Sequence, residues 1–415
     1  MNIFKKLLGL QLWKQIVLAL ILGVAVGLWL PDMSAVLTPI SQLFINAIQL
    51  MVAPVVFVSI TCGVLALRGT ASMGRVAGKT MLIYLITMAT ATTIGIAIAK
   101  LLSPGSGLDL TLLEHQALNI NVPEPTINSI VTTLIPPNMF HALTDNSLIL
   151  QIIIVAIILG FAIIKAGDAG DRVAKLFDSA FAVMMQFAQL IMRFAPLGVF
   201  CLIAVMINQF GTQMLLELFT LVLTIYIGCI LNALIVYTGL LSFIARLNPW
   251  PFFRGLADAM IFAFSTTSSS ATLPVTMRCS QQNHGVAKSI SEFVLPLGAT
   301  INMNGLAVYL GAAAIFASNL YGIELTFWQF VLIILTSTVA AIGAAGVPGS
   351  ALFVMALVMS SIGIPLTVIG IIAAVDRIID MMTTTLNITG DAATAVIVAE
   401  SEGMLDKEIY YSKPK

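Results

Sequence analysis

Charge is what this sequence has least of. Only 9% of its 415 residues are Asp, Glu, Lys or Arg, where a soluble chain of this length carries roughly 25%. With 59% hydrophobic residues and a mean hydropathy of +1.04, it reads as a polytopic integral membrane protein. Lys plus Arg and Asp plus Glu balance at 19 each, which leaves no basic surface for a nucleic acid. Cysteine is also scarce. Cys62, Cys201, Cys229 and Cys279 have no metal-ligand spacing and read as small core residues, not as disulfide partners. His115, His141 and His284 lie far apart and form no local ligand motif. Lys5, Lys6 and Lys14 precede an apolar run that has no small-residue cleavage site, so the first helix is expected to be retained.

What the chain has instead is apolar runs long enough to span a bilayer, about 20 residues each. They cover Trp13–Leu30, Ile40–Leu67, Met81–Leu102, Leu148–Ile164, Phe177–Ile207 and Met214–Ile244. Further runs at Phe293–Leu320, Phe327–Ile364 and Leu366–Ala399 are less uniform. Basic residues in short loops orient such a chain. Lys5, Lys6 and Lys14, then Arg68, Arg75 and Lys79, then Lys165, Arg172 and Lys175 mark alternate connections as cytoplasmic. Arg246 with Arg254, Arg278 with Lys288, and the Lys407–Lys415 tail extend that side. Ser103–Asp145 has no Lys or Arg and carries Asp109, Glu114, Glu124 and Asp145, so it is expected outside. Both termini are then cytoplasmic, provided two segments fail to cross.

Two segments are suited to that. Pro251–Gln281 contains FSTTSSSATLP at Phe264–Pro274, and Trp328–Ile364 contains AAIGAAGVPGS at Ala340–Ser350. Unwound chain survives at membrane depth only where protein or a wet cavity satisfies its amides and carbonyls. Each segment therefore predicts a helical hairpin that enters and returns on one side, the first from the cytoplasm and the second from outside. A third break, PLGATINMNG at Pro296–Gly305, lies between them. Interrupted segments of opposite polarity are the signature of a transporter built from inverted repeats, with its site near the midplane.

The last apolar run holds VDRIIDMMTTTLNITGD at Val375–Asp391. At roughly 100° per residue, Asp376, Asp380, Thr383, Thr384, Asn387 and Asp391 share an arc of about 100°. A polar stripe that merely held a bundle together would not need three acids with one basic residue, Arg377, at the rim. Carboxylates at bilayer depth are costly and point to a site for cations and a polar substrate. An intramembrane enzyme is a poor alternative: Ser268–Ser270 could act as nucleophiles, but no histidine or lysine base sits in the broken segments. A pure channel is disfavoured by the closed hairpins.

These motifs resemble those of the dicarboxylate/amino-acid:cation symporters, the glutamate transporter homologues. The marks are the serine tip Ser268–Ser270, the N-M-x-G element Asn302–Gly305, the GVPG tip Gly346–Gly349, and the D-x(3)-D…N-x(3)-D pattern ending at Asp391. The resemblance implies an all-α membrane protein with eight transmembrane helices and two re-entrant hairpins, built from inverted repeats. It implies a homotrimer whose scaffold holds helices 1–2 (1–75) and, with the outer loop, helices 4–5 (103–210). Helix 3 (76–102) and 211–399 would form the elevator-like transport domain, followed by a cytoplasmic tail (400–415). Partners would be an amino-acid substrate, sodium as coupling ion and the bilayer, in a bacterial or archaeal cytoplasmic membrane, with no cofactor. Carried over by motif, substrate would meet Ser268, Ser269, Ser270, Val347, Gly349, Asp380, Thr383, Thr384 and Asn387. One sodium would sit with Gly298, Asn302, Asn387 and Asp391, and a second with Thr300, Ala341, Ile342 and Ala344. Asp376 would belong to a polar network beneath them.

Where the chain departs from the family, it bears on substrate and stoichiometry. Family members that carry acidic amino acids have an arginine at the position of Thr383, and some have one at the position of Thr267. With neither, the expected substrate is a small neutral amino acid such as serine, threonine, alanine or cysteine, and Leu306 makes the side-chain end of the pocket less polar. The alternative is an acidic amino acid or C4-dicarboxylate carried with sodium or protons, with Arg377 as the only nearby cation. Arg377 is expected to pair with Asp376 or face outward. A third sodium site retains Tyr84 and Thr87, but Met88 and Asn304 replace a serine and an acid, so fewer coupled sodium ions are expected than in acidic-amino-acid members.

Overall fold

The computed structural model describes residues 12–65, 74–107, 135–144, 148–344, 346 and 349–414. The described chain is almost wholly helical, with no strand and a single isolated bridge, Val286 to Leu405. In chain order the main helices are α1 (Leu12–Trp29), α2 (Ser34–Leu65), α3 (Gly74–Leu102), α4 (Ile149–Lys165), α5 (Asp168–Met192) and α6 (Ala195–Phe210). Then come α7 (Gln213–Asn232), α8 (Pro249–Thr266), α9 (Ser269–Gln282), α10 (Lys288–Ile301) and α11 (Asn304–Leu320). The last are α12 (Phe327–Gly343), α13 (Ser350–Ser361), α14 (Thr367–Ala373), α15 (Asp376–Ser401) and the short α16 (Lys407–Tyr411).

Among the described residues, four stretches are long and apolar enough to cross a membrane: Pro31–Leu65, Gly74–Leu102, Gln213–Ile244 and Lys288–Leu320. The run Phe177–Ile207, which reads as one segment, is broken. α5 and α6 meet at a 50° bend, where Pro196 takes a first-turn position of α6 and cannot continue the helix before it. The acidic outer connection lies largely outside the described residues, as do Lys5, Lys6, Arg68, His115, Asp109, Glu114, Glu124 and Asp145.

The three sequence breaks are real. α8 ends at Thr267, whose φ of 52° is left-handed, and Ser268 caps α9 by accepting from the Ala271 amide at 3.2 Å. Such a cap satisfies one of the helix's orphan donors. α8 and α9 pack against each other and against α15, forming a hairpin. α12 and α13 form the second hairpin, with Ala344 extended and Gly349 left-handed at φ 79°, a conformation that only glycine adopts without strain. α10 and α11 are separated by the non-helical pair Asn302–Met303. The hairpin tips touch, because the Gly346 carbonyl accepts from the Ser268 hydroxyl at 2.8 Å and the Ser270 amide at 3.2 Å.

The side chains explain the burial. α11 and α15 are buried almost all round, as expected for helices surrounded by others. α11 lies against α3 and α15, and α15 also takes α8, α9 and α10. One end of the assembly gathers charge: Glu402 accepts from Arg75 and Lys79 at 2.7 and 2.6 Å, and Lys407 pairs with Glu400 at 2.7 Å. The start of α3, the end of α15 and the C-terminal tail therefore share one side.

Candidate functional site

The breaks converge on α15. Its Asp391 is buried, and Oδ1 accepts from Asn302 Nδ2 at 2.9 Å. Asn302 Oδ1 in turn accepts from Asn304 Nδ2 at 3.0 Å, and Asn304 also donates to the Tyr237 hydroxyl at 2.6 Å. Asn387 Oδ1 accepts from the Gly305 amide at 2.7 Å, satisfying an orphan donor at the start of α11. Two glycines make this closeness possible. A Cβ on Gly298 would strike the Asp391 carboxylate and the Tyr84 hydroxyl, and one on Gly305 would strike the Thr383 backbone.

The structure thus brings Gly298, Asn302, Asn387 and Asp391 together. Carboxylate and carbonyl oxygens are the donors a hard cation takes. Among the described residues no group of three or more His, Cys, Asp or Glu converges, so the donor set does not suit a transition metal. Thr300, Ile342 and Ala344 line a separate cavity of about 430 Å³ against α2 and α5. Ala341 is buried beside it without lining it. Of the residues suggested for a third cation, Tyr84 lies at Gly298, where its hydroxyl donates to the Val294 carbonyl at 2.9 Å. Asn304 belongs to the same network. The Thr87 hydroxyl instead turns back to the Tyr84 carbonyl at 3.1 Å.

A second, smaller cavity of about 20 Å³ lies between the tips and α15, room for little more than a water. Ser269, Asp380, Thr383, Thr384 and Asn387 line it, together with Thr267 and Leu306. Asp380 accepts from the Gly349 amide and the Thr384 hydroxyl, each at 3.3 Å, and the Thr383 hydroxyl donates to the Asp380 carbonyl at 3.3 Å. Ser268 and Ser270 hold the opposite tip and do not line the cavity. Val347 lies outside the described residues. Met303, Ser350 and Ala351 also line the space, and the sequence reading missed them. The start of a helix directly after GVPG was the available signal for Ser350.

Arg377 departs from expectation. It neither pairs with Asp376 nor faces outward. Its side chain is only 14% exposed, and Nη1 lies 3.9 Å from Asp380 Oδ2. Nε and Nη1 are buried without a hydrogen-bond partner among the described residues. Asp376 is held instead by the Tyr309 hydroxyl, which donates to Oδ1 at 3.1 Å.

Helices broken around buried acids, with touching hairpin tips over a small polar cavity, are the architecture of an integral membrane carrier. The model of the sodium:dicarboxylate symporter family matches residues 12–401. The chain is 32% identical over 403 residues to a proton/sodium-glutamate symport protein of Geobacillus stearothermophilus, covering 95% of each chain. It is 32% identical over 411 residues to a proton/glutamate-aspartate symporter of Escherichia coli, covering 95% of this chain and 93% of the relative. Identity to a C4-dicarboxylate transport protein of Bacillus subtilis is 30% over 419 residues, covering 98% and 96%. This chain belongs to the sodium:dicarboxylate symporter family, whose members are transporters and not enzymes.

Proposed function

We propose that the chain is a sodium-coupled symporter for an acidic amino acid of aspartate or glutamate type. The observation that carries this reading is Arg377. A buried guanidinium with unpartnered N–H groups is costly, and a carboxylate on the substrate's side chain would supply the missing acceptors in a bidentate pair. Asp380, loosely held at 3.9 Å by the same arginine, would turn to the ammonium group, while Thr384, Asn387 and Ser269 meet the α-carboxylate. The names of the relatives favour an anionic substrate over the neutral one expected from Thr383. In this reading the arginine that selects the substrate comes from one position after Asp376.

The neutral reading keeps one observation in its favour: Thr383, not arginine, faces the cavity. Arg377 and Asp380 would then be a permanent pair. Competition separates the two. If labelled aspartate is displaced by glutamate or unlabelled aspartate at concentrations at least ten-fold below those of serine or alanine, the acidic reading stands. The reverse order would refute it.

The small volume of the cavity supports a site that must open to load. We assign the opening to the α12–α13 hairpin, tied to sodium through Thr300, Ile342 and Ala344, and the first cation to Asp391, Asn302, Gly298 and Asn387. α3, the segment from α7 to α15 and both hairpins would travel as one transport domain against a scaffold of α1, α2, α4, α5 and α6, in a trimer of eight-span subunits with both termini cytoplasmic.

A further inference from the structure

Asp178 is a charged side chain that nothing in the transport scheme uses. It projects from α5 into the cavity of about 430 Å³ whose opposite wall is Thr300, Ile342 and Ala344, with Ser59 and Gly63 of α2 between them. No basic side chain pairs with it among the described residues. Facing it is the C-terminal end of α12, where the last-turn carbonyls lack intrahelical partners and the helix dipole is negative. The cavity therefore presents a carboxylate, the negative end of a helix and a hydroxyl, and no countercharge. Its place along the membrane follows from α2: the tip of α12 packs on Ile60 and Gly63, close to the end of α2 at Leu65 that precedes the basic loop.

We propose that Asp178 is a transient station for a monovalent alkali cation on the cytoplasmic side, the first stop for sodium leaving the Thr300–Ile342–Ala344 site. This rests on the reading of those residues as a sodium site. One carboxylate across a water-filled cavity holds a cation too weakly to trap it, but it raises the local concentration along the path out. It also belongs to the scaffold helix α5, so the station would exist only while the α12 tip is docked at this end of α2. Such an arrangement would lower the barrier to release on one face of the membrane and not on the other.

The test uses the full-length transporter in right-side-out and inside-out vesicles, with sodium varied on the accessible face. Asp178→Asn should raise the half-saturating sodium concentration on the cytoplasmic face roughly five-fold, the size of one unit charge several ångströms away in a wet cavity. The outer face should be unchanged, which also shows that the variant folds, and Asp178→Glu should restore the cytoplasmic value. An unchanged cytoplasmic value, or an equal shift on both faces, overturns the proposal. Ala344→Phe, which would put bulk among the backbone carbonyls of Thr300, Ile342 and Ala344 that line the cavity, distinguishes the underlying reading. If it leaves sodium dependence intact on both faces, the carbonyl site is wrong and the station falls with it. If it shifts both faces while Asp178→Asn shifts neither, the station alone is wrong.

Discussion

At the residue scale, selectivity rests on which side chain meets the part of the substrate beyond its α-carbon. Thr383 lies in the wall of the cavity, and Arg377 lies six residues earlier on α15, against Asp380. Arg377→Gln removes the buried charge while keeping much of the volume. It should weaken an acidic substrate by roughly ten- to a hundred-fold, the usual weight of hydrogen bonds to a charged group, and leave any residual serine transport unchanged; uptake with each labelled amino acid reads this out. An equal loss of both substrates would mean that Arg377 only supports the fold. The i,i+3 relation of Arg377 to Asp380 was readable from spacing, but whether a long side chain turns inward is decided by the packing around it. Tyr237 was invisible for a different reason. Ala233–Tyr237 is π-helical within a largely apolar run, and a one-residue change of helical register leaves no mark in hydropathy. That register carries the hydroxyl to Asn304.

At the scale of elements, the breaks are what the sequence showed best. Serine and threonine in one apolar segment, and glycine and proline in another, are hard to reconcile with uninterrupted membrane helices, and both became hairpin tips. The Asn302–Met303 break was legible for the same reason. The bend between α5 and α6 was not, since Arg193 and Pro196 stand in a run that also carries Asp178, Gln186 and Gln189, and so do not mark a break by themselves. Close packing at the third break gives a sharp expectation. Gly305→Ala would drive a methyl into the Thr383 backbone, and overpacking of this kind costs about 1–3 kcal/mol or more. The thermal midpoint should fall by several degrees, and sodium should stabilise the variant less than the parent. At the charged end, the turn after α9 buries His284, with Nε2 at 2.9 Å from the Phe252 carbonyl and the ring 6.2 Å from Tyr410 of α16. Burial pushes the imidazole down to about 4 from 6.5. The unfolded chain binds the extra proton first, so His284 contributes stability that is complete above pH 6.5 and is lost as pH falls to about 4. His284→Gln should flatten the pH dependence of the melting temperature across that window; an unchanged slope would assign it to other groups.

At the scale of the whole molecule, transport requires the two touching tips to part. Cysteines at Ser270 and Gly346, where a Cβ on Gly346 would stand beside the Ser270 hydroxyl and press on the Ala299 carbonyl, should form a disulfide in a background lacking the native cysteines once that carbonyl shifts. Oxidation should stop uptake and reduction should restore it. Uptake that persists in the fully oxidised protein would show that the tips need not separate. The acid missing at Asn304 and the Thr87 hydroxyl turned to its own helix also predict fewer than three sodium ions per substrate, which reversal potentials in proteoliposomes measure directly. Orientation and assembly were read from basic loops and family likeness. Arg75, Lys79 and Lys407 gather at one end, the end that we propose faces the cytoplasm.

The central claim is that an inward sodium gradient drives an acidic amino acid through the Arg377–Asp380 site. Its most direct test is uptake of labelled aspartate into proteoliposomes holding the purified protein, with sodium or potassium outside. The account predicts accumulation that requires the sodium gradient, is displaced by glutamate more readily than by serine, and is lost in Arg377→Gln. Sodium-driven accumulation of serine with aspartate inert, unaffected by Arg377→Gln, would contradict it.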